Sequence, residues 1–175
     1  MATATPPIGY ADLCKREPGQ CRQWSGVRET ITLSPSNWKL LQDVNRRINT
    51  TITAVSDQKH HGQAEFWTYP TDSGDCEDFV LLKQRTLIGH GLPENALLIT
   101  VVLDEKGEGH AVLTAVTSEG DYILDNRRDE VRSWNRVNYT FLKRQSARNP
   151  EQWVLLNKDN PNRNQLTSTR AIKNQ

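Results

Sequence analysis

One cysteine stands among acidic residues in the segment Gly74-Asp75-Cys76-Glu77-Asp78-Phe79. The apolar spacing after it predicts a helix that begins at Asp75 or Cys76. The thiolate is the nucleophilic form of cysteine, and the free N–H groups and dipole of a helix N-terminus lower a cysteine pKa. The position of Cys76 therefore predicts a nucleophilic thiol. A lone cysteine on the inner face of a helix is, however, more commonly a small core residue.

A thiol nucleophile needs a general base, and the base needs a group that holds its ring in the right tautomer. His110 opens one arm of a predicted hairpin and Asp125 closes the other. With an even-numbered loop, these two positions lie on the same side of the sheet. A tight turn at Glu119-Gly120 would place Asp125 opposite Thr114, so we expect a bulge or a shifted register to bring it to His110.

Each of these residues also has an ordinary structural explanation. A histidine at a strand start is usually a surface residue or one with its hydrogen bonds satisfied. Asp125, followed by Asn126, also fits a simple turn. Spacing alone therefore leaves open whether these residues form a catalytic site.

Three segments, in chain order, resemble the motifs of the bacterial transglutaminase-like cysteine proteinases. They are the block 74–79 around Cys76, the strand Gly109-His110-Ala111-Val112-Leu113, and the strand end Leu124-Asp125-Asn126. The resemblance covers about residues 10–145. It implies an α+β fold with a papain-like, transglutaminase-like core, in which the helix bearing the cysteine packs on an antiparallel sheet.

By position, the resemblance implies a role for each member of a Cys-His-Asp triad. Cys76 would be the nucleophile, His110 the general base and acid, and Asp125 the group that orients His110. The product of the first step would be a thioester acyl-enzyme. The oxyanion would lie against the Cys76 backbone N–H and a donor from the preceding loop, for which Trp67 is a candidate.

The resemblance also implies a cation. The best-known branch of the family comprises the periplasmic LapG-type adhesin proteases, whose adhesin-cleaving members depend on calcium. The matching acids here are Asp75, Glu77 and Asp78, which the resemblance implies as calcium ligands; it implies no organic cofactor. Asp75 and Asp78 also fit the N-cap and N3 positions of a helix, and both roles can coexist.

The same branch implies partners and a location. The substrate would be an exported or cell-surface protein such as a large biofilm adhesin, and an inner-membrane receptor would regulate access to it. The protein would act in the periplasm or after export. The N-terminus lacks the basic stretch and apolar core of a signal peptide, so we expect a leader to lie outside this sequence.

Two other functions fit the same residues. A protein-glutamine acyl transferase, or transglutaminase, forms the same acyl-enzyme and differs only in using an amine as the second nucleophile. A catalytically silent binding module could also use this fold. The presence of Cys76, His110 and Asp125 together argues against a silent module.

Two helices and a set of strands are predicted to position these residues. Ser34 and Pro35 are typical of a helix start. The apolar face of that helix comprises Trp38, Leu41, Val44, Ile48, Ile52 and Val55. The second helix should end at Ile88, with an inner face of Cys76, Phe79, Val80, Lys83 and Leu87. We expect Lys83 to extend its amine towards solvent.

Strands are predicted at residues 96–103, 109–117, 121–126, 139–144 and 153–156, and a loop at residues 57–74. Helices precede strands rather than alternating with them. This order favours an α+β class with a mainly antiparallel sheet.

The chain divides into three predicted parts: an irregular N-terminal segment at 1–33, the proteinase domain at 34–157 and a flexible tail at 158–175. Cys14 and Cys21 flank a Pro18-Gly19 turn signal that could bring their thiols together. The alternative is two free thiols in a reducing compartment. Cys76 would be the one unpaired cysteine in the oxidised form.

Composition and charge argue against a membrane-spanning protein and against a nucleic-acid-binding protein. The 175 residues have a mean hydropathy of −0.70, and no apolar run is long enough to span a membrane. Residues 127–175 carry an excess of basic side chains, but their arginines are scattered and not interleaved with aromatic residues. This pattern favours a solvated basic face over nucleic-acid binding.

Overall fold

The computed structural model describes residues 2–24, 27–55 and 65–156. Its centre is a seven-stranded sheet in the order β1-β9-β8-β4-β5-β6-β7, in which every neighbouring pair is antiparallel. The strands are β1 (Thr3–Ala4), β4 (Leu97–Leu103), β5 (Gly109–Thr117), β6 (Gly120–Asp125), β7 (Arg128–Ser133), β8 (Thr140–Gln145) and β9 (Trp153–Leu155). A separate parallel pair joins β2 (Thr53–Ala54) to β3 (Ser73–Gly74). The predicted α+β class with an antiparallel sheet is confirmed.

Helix α2 (Pro35–Thr51) begins where its capping residue predicts. The Ser34 side chain accepts a hydrogen bond from the Asn37 N–H, and Pro35 occupies the first helical position. Leu41, Val44 and Ile48 of the predicted apolar face are buried. The helix ends before Ile52, so Val55 lies outside it.

Helix α3 (Cys76–Gly89) starts at the predicted residue. Asp75 and Asp78 form a reciprocal capping box: the Asp75 side chain accepts from the N3 backbone, and the Asp78 side chain accepts from the Asp75 N–H. Beyond its end, Gly91 has a φ of +93°, a left-handed conformation that suits glycine after a helix.

The predicted position of Lys83 is wrong. The side chain does not reach solvent: it is fully buried, and its Nζ has no hydrogen-bond partner among the described residues. The expectation failed because α3 is covered on both sides of its inner face, by α2 and by the central strands β4, β5 and β6.

The hairpin of β5 and β6 turns earlier than expected. Thr117 pairs with Gly120 and Thr114 with Ile123, so the two loop residues are Ser118 and Glu119. The Thr117 hydroxyl donates to the Gly120 carbonyl at 2.6 Å and fixes this turn. The expected turn at Glu119-Gly120 is therefore wrong by one residue, and of the two expected arrangements, a bulge or a shifted register, the structure has the shifted register.

The N-terminal segment is more ordered than predicted. It contains β1 and a helix, α1 (Ile8–Arg16), so the expectation of an irregular segment is wrong there. The Cys14–Cys21 disulfide is present and Cys76 is free, as predicted. The predicted loop is irregular at residues 65–72 but ends in β3, and residues 56–64 lie outside the described chain. The predicted tail at 158–175 also lies outside it.

Two hydrophobic clusters stabilise the sheet. The larger one contains α1, α2 and α3 with residues such as Leu13, Leu41, Phe79 and Leu113. The smaller one contains Trp134, Tyr139 and Phe141 with neighbouring strand residues. Within residues 2–24, 27–55 and 65–156, we find no helix with the length and apolarity needed to cross a membrane.

Candidate active site

Cys76 is the first residue of α3, where the sequence predicts it, but its thiol is held in an unreactive form. The Sγ donates to Glu77 Oε2 at 2.9 Å. Burial raises the pKa of the Cys76 thiol well above its usual range, and the carboxylates of Glu77 and Asp75 raise it further. A backbone hydrogen bond from Ala111 opposes this rise only in part. The thiol is therefore protonated in this arrangement.

His110 and Asp125 form a buried pair, with His110 Nε2 at 2.8 Å from Asp125 Oδ1. Continuing the observed register places Asp125 opposite Val112, two residues along β5 from His110. Diagonal neighbours of this kind lie on one face within reach of long side chains, so no bulge in β5 is needed. The other ring nitrogen of His110, Nδ1, is buried and has no hydrogen-bond partner among the described residues.

Three donors converge on the Asp125 carboxylate. They are His110, the Tyr139 hydroxyl at 2.6 Å from Oδ2, and the Arg127 N–H at 3.0 Å from Oδ1. Burial alone would raise the pKa of Asp125, but the bonds and charge of His110 and the bond from Tyr139 lower that pKa to about 2. Asp125 is therefore ionised at neutral pH and can hold the imidazole through Nε2.

Tyr139 is a site residue that the sequence analysis missed. Its ring meets that of His110 edge-on, with centroids 5.6 Å apart. Burial, the larger cause, and the hydrogen bond to Asp125 together raise the pKa of Tyr139 to about 12. The only sequence signal was an aromatic residue at the start of a predicted strand, and that signal is unspecific.

Cys76 and His110 line one cavity of about 550 Å³. One wall comes from the N-terminal segment, through Pro6, Pro7 and the exposed Ile8. No local sequence pattern indicates this wall, because it depends on the pairing of β1 with β9, two strands from opposite ends of the described chain. A larger cavity of about 890 Å³ is lined by Arg28, Arg144 and other residues but includes none of the three candidate catalytic residues.

Trp67 lines the same cavity as Cys76, and its buried Nε1 has no hydrogen-bond partner among the described residues. An indole N–H of this kind can donate to an oxyanion. The other expected donor, the Cys76 backbone N–H, is occupied because it donates to Asp75 Oδ1. The structure therefore leaves Trp67 as the more available of the two predicted donors.

The structure brings two of the three predicted calcium ligands together. One ligand atom each from Asp75, Cys76 and Glu77 lies within 4.8 Å of the others. Calcium prefers carboxylate oxygens, so the two acids fit a calcium ion and the thiol does not. Asp78 is not part of this group: its two carboxylate oxygens accept the N–H groups of Thr68 at 2.9 Å and Asp75 at 3.0 Å.

Comparison with known proteins identifies relatives of this chain. The family model of the bacterial transglutaminase-like cysteine proteinases (BTLCP) matches residues 1–161. The solved structure of calcium-bound LapG from Legionella pneumophila is 26% identical, with a TM-score of 0.56, and the match covers 66% of this chain and 68% of that one. Its EGTA-treated form is 25% identical, with a TM-score of 0.54 and coverages of 65% and 64%.

A third LapG structure from the same organism shares the fold over a longer stretch. It is 23% identical, with a TM-score of 0.57, and the match covers 82% of this chain and 80% of that one. No curated protein matches the chain.

Proposed function

Since this chain belongs to the bacterial transglutaminase-like cysteine proteinases and is therefore a cysteine protease of the transglutaminase-like type, we propose that Cys76, His110 and Asp125 are its catalytic triad. The observation that carries the proposal is the buried His110–Asp125 pair: within the described part of the chain, Nδ1 of His110 has no hydrogen-bond partner, and His110 and Cys76 line the same cavity. A histidine in this state can accept a proton at Nδ1 while Asp125 holds Nε2–H.

The proposed reaction is hydrolysis of a peptide bond in two steps. His110 Nδ1 takes the proton of Cys76, Sγ attacks the substrate carbonyl, and the C–N bond breaks as His110 returns the proton to the leaving amine. In the second step His110 takes a proton from water, the resulting hydroxide attacks the thioester carbonyl, and the C–S bond breaks to release the acid while His110 returns the proton to Sγ. Trp67 Nε1 and the Cys76 backbone N–H are the proposed oxyanion donors, the latter once it is released from Asp75.

The proposed substrate is an exported or cell-surface protein, such as a large adhesin, and an inner-membrane receptor is the proposed regulator of access. One observation supports an extracytoplasmic protein: the Cys14–Cys21 disulfide, since such bonds persist in oxidising compartments.

The test of this function compares cells that express the wild-type protein with cells that express Cys76→Ala. Mass spectrometry of their surface and secreted proteins should find a new terminus at one peptide bond only in the wild-type cells. Addition of a labelled primary amine separates hydrolysis from transfer: a protease gives unlabelled fragments, whereas a transglutaminase attaches the amine to glutamine. Identical fragments in the Cys76→Ala cells would refute the triad.

We also propose a calcium ion held by Asp75 and Glu77. When bound, a dication supplies positive charge beside the thiol and so reverses the effect of these two carboxylates, which raise the thiol pKa. Asp78 is assigned only to the helix cap, because its oxygens accept backbone N–H groups. The remaining ligands would be carbonyl groups, waters or residues of other segments, since calcium takes six to eight oxygens.

We predict that a chelator lowers both the protease activity and the melting temperature, and that calcium restores them better than magnesium, which demands a tighter octahedral geometry. Glu77→Gln should remove this dependence on calcium. The exposed Glu119→Gln, on the β5–β6 loop, is the matched control and should behave as the wild type. Unchanged activity in the chelator, in a preparation verified as metal-free, would contradict the calcium site and show that Asp75 and Glu77 have only a structural role.

A further inference from the structure

Lys83 is a buried cation that the proposed mechanism does not use. It lies two helical turns after Cys76 on α3, its side chain has no solvent exposure, and its Nζ has no hydrogen-bond partner among the described residues. The Nζ lies over the ring of Phe79, 5.8 Å from the ring centroid. Burial of an unpaired amine is unfavourable, so packing alone does not explain a lysine at this position.

The charged groups that act on Lys83 belong to the strands next to it. Helix α3 packs on β6, and the carboxylates of Asp125 at the end of β6 and Asp129 in β7 both attract the Lys83 charge. Burial opposes this attraction and is the larger effect, so the pKa of Lys83 falls to about 7. Lys83 thus carries a substantial positive charge at neutral pH and below.

Hydrogen bonds from α2 hold the segment that bears Asp125 and Asp129. In α2, Asn49 Nδ2 donates to the carbonyls of Asp125 and Arg128 at 2.9 Å each. Asn45 Nδ2 donates to the carbonyls of Arg128 and Asp129 at 2.8 and 3.0 Å. Both asparagines leave a buried Oδ1 without a partner among the described residues. Four hydrogen bonds from α2 therefore hold the backbone of the segment that bears Asp125 and Asp129.

We propose that Lys83 is a positioning residue for the His110–Asp125 pair and that its charge acts on His110 through Asp125. A positive charge near the Asp125 carboxylate weakens the field by which Asp125 stabilises a protonated His110. Lys83 would thereby ease the return of the proton from His110 to the leaving amine. The inference rests on the triad proposed above, but its test does not depend on protease activity.

Other groups also act on the His110–Asp125 pair and must stay the same when Lys83 is replaced. Tyr139 and the Arg127 backbone N–H contact Asp125 directly, and the positive charge of Arg127 interacts with Asp125. These groups stay unchanged when Lys83 is replaced. Cys76→Ala serves as the parent protein, so that the titration of His110 is not coupled to the thiol.

The experiment follows the imidazole resonances of His110 by NMR against pH in this parent. Lys83→Met keeps the length of the side chain and removes its charge, so the His110 midpoint should rise, by about 0.3 pH unit or more for a unit charge that acts beyond hydrogen-bond distance. Lys83→Arg retains a positive charge at this position and should not raise the midpoint. Lys39→Met, which removes an exposed lysine of α2 paired with Asp43, is the matched control and should also have no effect.

A midpoint that stays the same in Lys83→Met, or that moves equally in Lys83→Met and Lys83→Arg, would overturn the inference. If the arginine variant does not fold, the reciprocal measurement decides. Asp125→Asn should lower the titration midpoint of the Lys83 ¹³Cε resonance, and an unchanged midpoint would again refute the coupling. Failure of the triad itself would appear separately, as protease activity in Cys76→Ala.

Discussion

At the residue scale, opposing influences act on the Cys76 thiol. The helix N-terminus and the Ala111 N–H favour the thiolate, and a helix dipole contributes about 0.3–1 kcal/mol to a charge at this position. Burial and the carboxylates of Glu77 and Asp75 favour the thiol, and they prevail in this structure. The proposed enzyme therefore needs a further positive charge before Cys76 can react, and protonated His110 and the proposed cation are the two sources.

Asp125 gives a prediction for the pH dependence of stability. Its pKa is lowered to about 2 in the folded protein from an ordinary value near 3.8, so it stabilises the fold above pH 4 and loses this effect as the pH falls towards 2. The full effect is about 2 kcal/mol. Asp125→Asn should therefore be less stable than the wild type at pH 6 in urea unfolding. The difference should shrink between pH 4 and pH 2.5; a difference that stays constant over this range would contradict the assigned pKa.

At the element scale, α1 packs closely against the loop that precedes Cys76. A Cβ on Gly9 would lie 2.2 Å from Cδ1 of the buried Trp67, so Gly9→Ala must displace either the helix or the indole ring. We predict a loss of about 1–3 kcal/mol in the free energy of unfolding, together with reduced kcat, since Trp67 lines the cavity of Cys76. Chemical denaturation and steady-state kinetics measure the two effects.

The control for this variant is Gly89→Ala at the end of α3, where a Cβ meets no atom within 4 Å. It should leave both stability and activity close to those of the wild type. Equal behaviour of the two alanine variants would show that the contact between Gly9 and Trp67 does not constrain the site.

The disulfide at the end of α1 gives a second prediction for this element. Replacement of both Cys14 and Cys21 by serine should lower the free energy of unfolding by about 2–3 kcal/mol, because the unfolded chain regains the freedom of a short closed loop. Thiol counting on the denatured, unreduced wild-type protein should give one reactive group, Cys76. A count of three would show that the bond does not form and would remove one support for an extracytoplasmic location.

The sequence predicts the elements that have strong local signals. Ser34 and Asp75 mark helix starts within one residue, and the largely apolar strand β5 is found with correct bounds. Strand β7 (Arg128–Ser133) was missed because only its Val131 is buried, as is common in a charged edge strand. Strand β1 was missed because it has two residues and depends on β9 for all its pairing.

The candidate site could be predicted in part for the same reason. The residue types at positions 76, 110 and 125 and the order of their motifs are local information. The Tyr139 bond to Asp125, the Glu77 bond to the thiol and the burial of Lys83 depend on tertiary packing, and no local pattern specifies them. The hairpin register shows that a small error in a local prediction changes the geometry of the site, since a turn one residue earlier changes the partner of Asp125 from Thr114 to Val112.

At the scale of the whole molecule, the site is assembled from distant parts of the chain. Helix α3 supplies the thiol, β5 and β6 supply the His110–Asp125 pair, and the N-terminal segment supplies a wall of the cavity. The last of these is attached through β1 to β9 and through Lys143, whose Nζ donates to the Thr5 carbonyl at 2.8 Å. The segment at 1–33 and the rest of the domain therefore contribute jointly to one cavity.

The rate at which iodoacetamide alkylates Cys76 at pH 6, in the presence of calcium, tests the proposed triad most directly. An ordinary thiol is on the order of a few tenths of a per cent thiolate at this pH, so rapid alkylation requires an activated cysteine. We predict that mass spectrometry finds Cys76 modified rapidly in the wild type and at least about tenfold more slowly in His110→Ala, while Cys14 and Cys21 stay unmodified. Equal rates in the two proteins, or a Cys76 that is inert in both, would contradict the assignment of Cys76 and His110 as nucleophile and base.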